Sequence, residues 1–142
     1  MFRYAGELKV SAEEMFNEII NTAIIEVENK IGKKITREDL LEGYKYKTKR
    51  RVGNDIVDAT VVLKKPEVNR RFTTTYSFND QHYEMNYIIT PLDDYKIKLE
   101  YTQEDGKRMG GISQWFAERK MRNGFKQMEK YIIEKRRKTE GK

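Results

Sequence analysis

From Tyr44 to Thr102 the chain repeats one pattern five times: apolar and polar residues alternate, and the runs are separated by turn-forming residues. Tyr44, Tyr46 and Thr48 alternate with Lys45, Lys47 and Lys49. Val57, Ala59, Val61 and Leu63 alternate with Asp58, Thr60, Val62 and Lys64. Phe72, Thr74, Tyr76 and Phe78 follow the same rule, as do Tyr83, Met85, Tyr87 and Ile89, then Tyr95, Ile97, Leu99 and Tyr101. Successive side chains of a strand point to opposite faces, so a period of two means one apolar and one solvated face. The breaks at Gly53-Asn54-Asp55, Lys65-Pro66-Glu67, Asn79-Asp80 and Pro91-Leu92-Asp93-Asp94 carry turn chemistry. Breaks this short predict sequential hairpins, hence an antiparallel meander.

The flanks read differently. Phe2, Tyr4, Leu8 and Val10 alternate with Arg3, Glu7 and Lys9, which predicts a further strand before the meander, paired with one end of it. Ser11 and Glu14 then form a capping box, with Val10 and Met15 as its hydrophobic staple. The apolar stripe from Met15 through Val27 to Ile31 predicts a helix ending near Gly32. Thr36 and Asp39, stapled by Ile35 and Leu40, open a short second helix that stops by Gly43. After a loop through Gly106, Gly110 and Gly111, a helix runs to about residue 138. Its stripe is Met121, Phe125, Met128 and Ile132. Ile112, Trp115 and Phe116 fall off that stripe, so the helix bends near Gly124 or its first turns bury another face.

A chain of 142 residues has room for one core. Leu, Ile, Val and Phe make up 32 of those residues, and the net charge is +6, a balance that supports a folded domain. No apolar run is long enough to span a membrane, and the N-terminus lacks a signal-peptide core, so a cytoplasmic protein is expected. With no cysteine there is no disulfide and no thiolate chemistry. The one histidine, His82, falls on the predicted solvated face, so neither a metal site nor a cofactor is expected. Asp93-Asp94 and Glu104-Asp105 sit in predicted turns, where adjacent carboxylates diverge. No phosphate-binding loop, dinucleotide fingerprint or nucleophile elbow is present. The motifs therefore argue against an enzyme.

Charge is distributed unevenly. Residues 1–106 carry 17 Lys/Arg against 19 Asp/Glu, a net of −2, and residues 107–142 carry 12 against 4, a net of +8. The run Lys135, Arg136, Arg137, Lys138 reads as a solvated tail, with nothing beyond Ile132 required for packing. Read instead as a contact surface, it makes the chain an adaptor for an acidic or anionic macromolecule. No aromatic-interleaved basic groove accompanies it, so nucleic acid is not the expected partner.

The element order strand, helix, helix, five-strand meander, long helix is similar to the START-like, or SRPBCC, helix-grip superfamily. Within it the chain resembles a small uncharacterised bacterial domain-of-unknown-function family. The resemblance lies in Val10-Ser11-Ala12-Glu13, Gly32-Lys33-Lys34-Ile35-Thr36-Arg37-Glu38-Asp39-Leu40, Tyr87-Ile88-Ile89-Thr90-Pro91-Leu92-Asp93-Asp94 and Lys126-Gln127-Met128-Glu129-Lys130. It implies an α+β fold: a curved antiparallel sheet of about six strands wrapped round the long C-terminal helix, with two helices after the first strand. Residues 1–138 then form a single START-like domain, and 139–142 a flexible basic tail. The chain departs from better known members in having six strands rather than seven. It also lacks the glycine-rich loop of the plant pathogenesis-related branch. The resemblance further implies a hydrophobic small molecule bound between sheet and C-terminal helix.

Tyrosine placement bears on that ligand. Tyr4, Tyr44, Tyr46, Tyr76, Tyr83, Tyr87, Tyr95 and Tyr101 all fall on the predicted inward face, and Tyr131 alone lies elsewhere. A buried tyrosine needs a partner for its hydroxyl. A concave wall of tyrosines suits a cavity with apolar sides and a few polar contacts. Tyrosine is also a good strand former whose hydroxyl reaches water near strand ends, which explains the same pattern without a ligand. The candidate cavity residues are Tyr46, Tyr76, Met85, Tyr87, Leu99, Tyr101, Phe125 and Met128. Three functions follow: a carrier or sensor of an apolar small molecule, an adaptor acting through the basic helix, and a cavity enzyme of cyclase or hydrolase type.

Overall fold

Two reciprocal caps set where the first helices begin. In the computed structural model, which describes residues 2–78, 81–104 and 111–140, Ser11 Oγ accepts from the Glu14 N–H at 3.0 Å. The Glu14 carboxylate accepts from the Ser11 N–H at 2.8 Å. Two donors that a helix start or its cap leaves open are thereby satisfied. Helix α1 spans Ala12–Ile31 and ends at Gly32, whose φ of 70° costs a glycine little. The staple residues Val10 and Met15 are fully buried. Thr36 and Asp39 repeat the box for α2, Arg37–Leu41. The Glu28 carboxylate accepts from the Ile35 N–H at 3.0 Å, which fastens the link between the two helices.

The strands are β1 (Phe2–Leu8), β2 (Tyr44–Val52), β3 (Asp55–Leu63), β4 (Arg71–Phe78), β5 (Gln81–Asp93) and β6 (Lys96–Glu104). They form one sheet in the order β1-β6-β5-β4-β3-β2, with every neighbouring pair antiparallel. Strands β2 to β6 are the meander, and β1 is added beside its last strand. Because β1 and β2 are opposite edges, the chain between them has to cross the sheet. Helix α1 makes that crossing over the apolar face and packs against β2 and β5. The meander turn at Gly53-Asn54 is a two-residue hairpin loop led by a glycine with φ 63°. The expected turn at Asn79-Asp80, the loop through Gly106 and Gly110, and Gly141-Lys142 lie outside the described residues, as do the side chains of Ile112, Trp115 and Phe116.

Two local readings are corrected. Pro91, Leu92 and Asp93 are not turn residues: β5 runs through them to Asp93, with a bulge between Pro91 and Asp93. The turn shrinks to Asp94-Tyr95. Tyr95 therefore leaves the inward face and is 54% exposed. The polar face is also not solvated throughout, since Thr73 and Asn86 are buried on it. Thr73 Oγ1 donates to Asn86 Oδ1 at 2.6 Å, and the Asn86 amide donates to Glu84 at 3.2 Å. Paired in this way, two side chains at the sheet centre are closed over by their neighbours without an unmet hydrogen bond.

Helix α3, Gly111–Glu140, continues as helix through Gly124 and packs against β1. Phe125 and Ile132 are its buried anchors, with Met121 and Met128 half-buried beside them. The Glu129 carboxylate accepts from the Lys9 N–H at 2.6 Å, tying the helix to the residue that follows β1. Further along, Arg136 is not part of a solvated tail. Its Nε and Nη2 donate to the two Glu14 carboxylate oxygens at 2.8 and 2.6 Å. Its guanidinium also lies 4.2 Å from the centre of the Tyr95 ring. One side chain thus joins α3, the start of α1 and the β5–β6 turn.

The Arg136 hydrogen bond holds the Glu14 carboxyl below the usual carboxylate range, with the Ser11 bonds and the Arg136 charge adding to it against some burial. A lowered folded pKa contributes stability that is complete above the unfolded value of about 4.5 and is lost as pH falls through the folded value. Arg136→Ala is expected to cost about 1–3 kcal/mol at pH 7 and to flatten the acid side of the stability profile. Truncation after Glu134 carries the same loss, whereas truncation after Lys138 does not. Urea unfolding at pH 7 and pH 3 measures both.

Candidate functional site

On α1 the residues Ile19, Thr22, Ala23, Glu26 and Val27 recur at the spacing of a single helix face. Those in the middle of that face, Thr22 and Ala23, are short. Helix α1 therefore spans the sheet without filling the space beneath it. A cavity of about 80 Å³ remains. Its walls are that α1 face, Tyr46 of β2, Val61 and Leu63 of β3, Phe72, Thr74 and Tyr76 of β4, Met85 and Tyr87 of β5, and Met128 of α3. At about 30 Å³ per water-sized group it holds roughly three such groups. Sites for drug-sized ligands run to roughly 300–1,000 Å³.

Of the eight candidate residues, the structure brings five to this cavity: Tyr46, Tyr76, Met85, Tyr87 and Met128. Leu99, Tyr101 and Phe125 lie in the closed core beside it. Phe125 sits among Tyr4, Tyr101 and Tyr87 with ring centroids at 4.7, 5.9 and 6.2 Å. Tyr87 and Tyr101 are 4.9 Å apart. The space lies chiefly under α1 rather than under the C-terminal helix, which contributes only Met128 among the described lining residues. Sequence reasoning missed Thr22 and Glu26, which fall between the apolar positions of α1. Their signal was their spacing, three and seven residues after Ile19, on the same helix face.

The electrostatics are one-sided. Among the described lining residues there is one charge, Glu26, and no Lys, Arg or His. The Tyr76 hydroxyl donates to Glu26 at 3.4 Å. Burial, and after it the Glu26 charge, pushes the Tyr46 and Tyr87 phenols up to about 12. The Tyr101 phenol is raised as well, by burial first, then by Tyr87, Tyr76 and Glu26. Tyr101 donates to Gln103 at 3.2 Å. The Tyr46 and Tyr87 hydroxyls, in contrast, have no hydrogen-bond partner among the described residues. The described residues bring no three His, Asp or Glu side chains together for a metal. His82 is exposed on the opposite face, with Nδ1 2.8 Å from Ser77 Oγ.

This asymmetry is measurable. Tyr87→Phe is expected to change stability by less than about 0.5 kcal/mol, because no protein hydrogen bond is lost, whereas Tyr101→Phe costs about 1 kcal/mol. For Tyr46 and Tyr87 the folded pKa lies above the unfolded one, so their contribution is complete below about pH 10 and is lost as pH rises toward 12. Glu26→Gln removes one raising cause and shifts the late phenol ionisation to lower pH in an ultraviolet titration.

Residues 3–122 match the family described as Domain of unknown function (DUF3284). No curated protein matches the chain. Among solved structures it is similar to the Zhui aromatase/cyclase of a Streptomyces species, at 10% identity and a TM-score of 0.53, over 96% of this chain and 93% of that one. A START superfamily protein from Mycobacterium smegmatis aligns at 12% identity and TM-score 0.53, over 93% and 96%. A conserved protein from Geobacillus kaustophilus aligns at 18% identity and TM-score 0.52, over 93% and 94%. At these identities the likeness is one of fold, and that fold is START-like.

Proposed function

The chain belongs to the DUF3284 family, and on that premise we propose that it is a cytoplasmic carrier or sensor whose cavity under α1 takes a small, largely apolar molecule. The observation that carries this reading is the pair of phenols, Tyr46 and Tyr87, that line an apolar cavity without a protein partner for their hydroxyls among the described residues. Neither hydroxyl is sealed off as a buried unpaired group; both stay accessible at the cavity, where a guest can supply a partner. The START-like fold supports the reading, since one neighbour of that fold is an aromatase/cyclase. Binding is favoured over turnover because the cavity offers one carboxylate and no histidine among its described lining residues. The adaptor reading is weakened by Arg136, which the fold itself engages. The described residues include no helix long and apolar enough to cross a membrane.

The guest is small. A cavity of about 80 Å³ encloses only part of a molecule larger than a few non-hydrogen atoms, and the remainder emerges past the exposed rim residues Thr22 and Glu26. Protein labelled with ¹³C at methionine methyls tests the reading, because Met85 and Met128 line the cavity while Met15 is buried elsewhere in the core. Short branched alcohols of three to six carbons are expected to shift Met85 and Met128 saturably and to leave Met15 in place. Ala23→Leu fills the space and is expected to abolish those shifts while keeping the fold. If no alcohol of the series moves either methyl, the carrier reading fails.

A further inference from the structure

We infer that the molecule this cavity selects is a primary ammonium ion with a short apolar tail; this rests on the carrier reading above. The cavity's described lining carries one negative charge and no positive one. A neutral guest leaves the Glu26 carboxylate at the exposed rim with water and the 3.4 Å hydrogen bond from Tyr76, and makes no use of its charge. An anionic guest is repelled by it. A protonated amine answers it directly, through a charge-assisted hydrogen bond.

The hydrogen-bonding character of the lining suits the same class. A primary ammonium has three N–H donors and no acceptor. The lining offers oxygens able to accept from it, among them the Glu26 carboxylate and the hydroxyls of Tyr46 and Tyr87, the two phenols without a described partner. Those phenols keep their protons far above neutral pH, so they accept as neutral hydroxyls and add no competing charge. Aromatic faces attract a cation in addition, and Tyr46, Tyr76, Tyr87 and Phe72 all belong to the lining. An alkylamine, with a pKa near the ~10.4 of a lysine side chain, is protonated at neutral pH. Its alkyl end fits against Val61, Met85 and Met128. A fully methylated ammonium has no N–H to give and leaves the hydroxyls unpaired.

Three probes with one branched tail separate the possibilities: 3-methylbutylammonium, 3-methylbutan-1-ol and 3-methylbutanoate, each titrated at pH 7 against protein with ¹³C-labelled methionine methyls. The ammonium ion is expected to bind at least tenfold more tightly than the alcohol, with the carboxylate weakest. Raising salt from 50 to 500 mM should weaken the ammonium and leave the alcohol unchanged. Glu26→Gln keeps an acceptor for Tyr76 and should bring the ammonium down to the affinity of the alcohol. Replacing both Tyr46 and Tyr87 by Phe should weaken the ammonium more than the alcohol. Equal binding of ammonium and alcohol, or an ammonium preference that survives Glu26→Gln, overturns this inference and leaves the carrier reading standing. If none of the three probes moves Met85 or Met128, both fall together.

Discussion

Phe125 is the contact on which the rest of the arrangement depends. It is a deeply buried ring of α3, 3% exposed, and it meets tyrosines from β1, β5 and β6 at once. Aromatic pairs of this kind contribute about 0.5–1.5 kcal/mol each beyond the area they bury. Their placement matters as much as their strength. The cluster joins the first strand of the chain, the end of the meander and the last helix, which are far apart in sequence. Gly6 makes room for it: a Cβ there would collide with the Tyr4 hydroxyl, so the Tyr4 ring lies across a residue without a side chain. Tyr87 belongs both to this cluster and to the cavity wall. Its orientation at the cavity is therefore held by packing rather than by a hydrogen bond of its own.

Helix α1 is constrained differently, at its two ends. The Ser11–Glu14 box and the Arg136 pair hold its start. Gly32 and the bond from the Ile35 N–H to the Glu28 carboxylate hold its end. Glu14 serves two partners with one carboxylate, closing the cap and receiving α3, so the entry of α1 and the exit of α3 are set together. Between these ends Met15, Phe16, Ile19, Ile20 and Val27 anchor the helix in the core, and Thr22 and Ala23 stand over the cavity.

What was legible in the sequence was local. A capping box needs residues three positions apart, and both boxes form as read. A period of two needs only neighbours, and it located all five meander strands; it put β1 at one end of them, and the structure shows that end to be β6. Tyr95 was misplaced because it shares the parity of Ile97 and Leu99 but precedes β6, in the Asp94-Tyr95 turn, where the alternation of a strand no longer sets its direction. Arg136 looked like tail because its partner is 122 residues away. Leu99, Tyr101 and Phe125 illustrate a further limit. Periodicity gives the face on which a side chain lies, but not whether the covering helix touches it or stands off. Glu26 illustrates the converse: it is solvent-exposed, but only the folded sheet shows that its position lies at the rim over the Tyr46, Tyr76 and Tyr87 wall.

The pocket under α1 forgoes packing. Its rim residues Thr22 and Glu26 are exposed, so the space of about 80 Å³ opens to solvent, and what is forgone is the apolar burial that a longer side chain in the middle of α1 would add, roughly 2 kcal/mol for the extra groups of a leucine. The remedy is simple. Leucine at position 23 is a good helix former and would occupy the gap from a residue that already faces it. Alanine stands there instead, beside threonine at position 22, with Ile19 and Val27 filling the helix face on either side. The helix cannot settle onto the sheet to close the gap, because its two ends are held where they are. A chain selected only to fold would place bulk in the middle of α1 and aliphatic side chains opposite. This one places short side chains there, with phenols and a carboxylate around them, a composition that supports the proposed polar-headed guest.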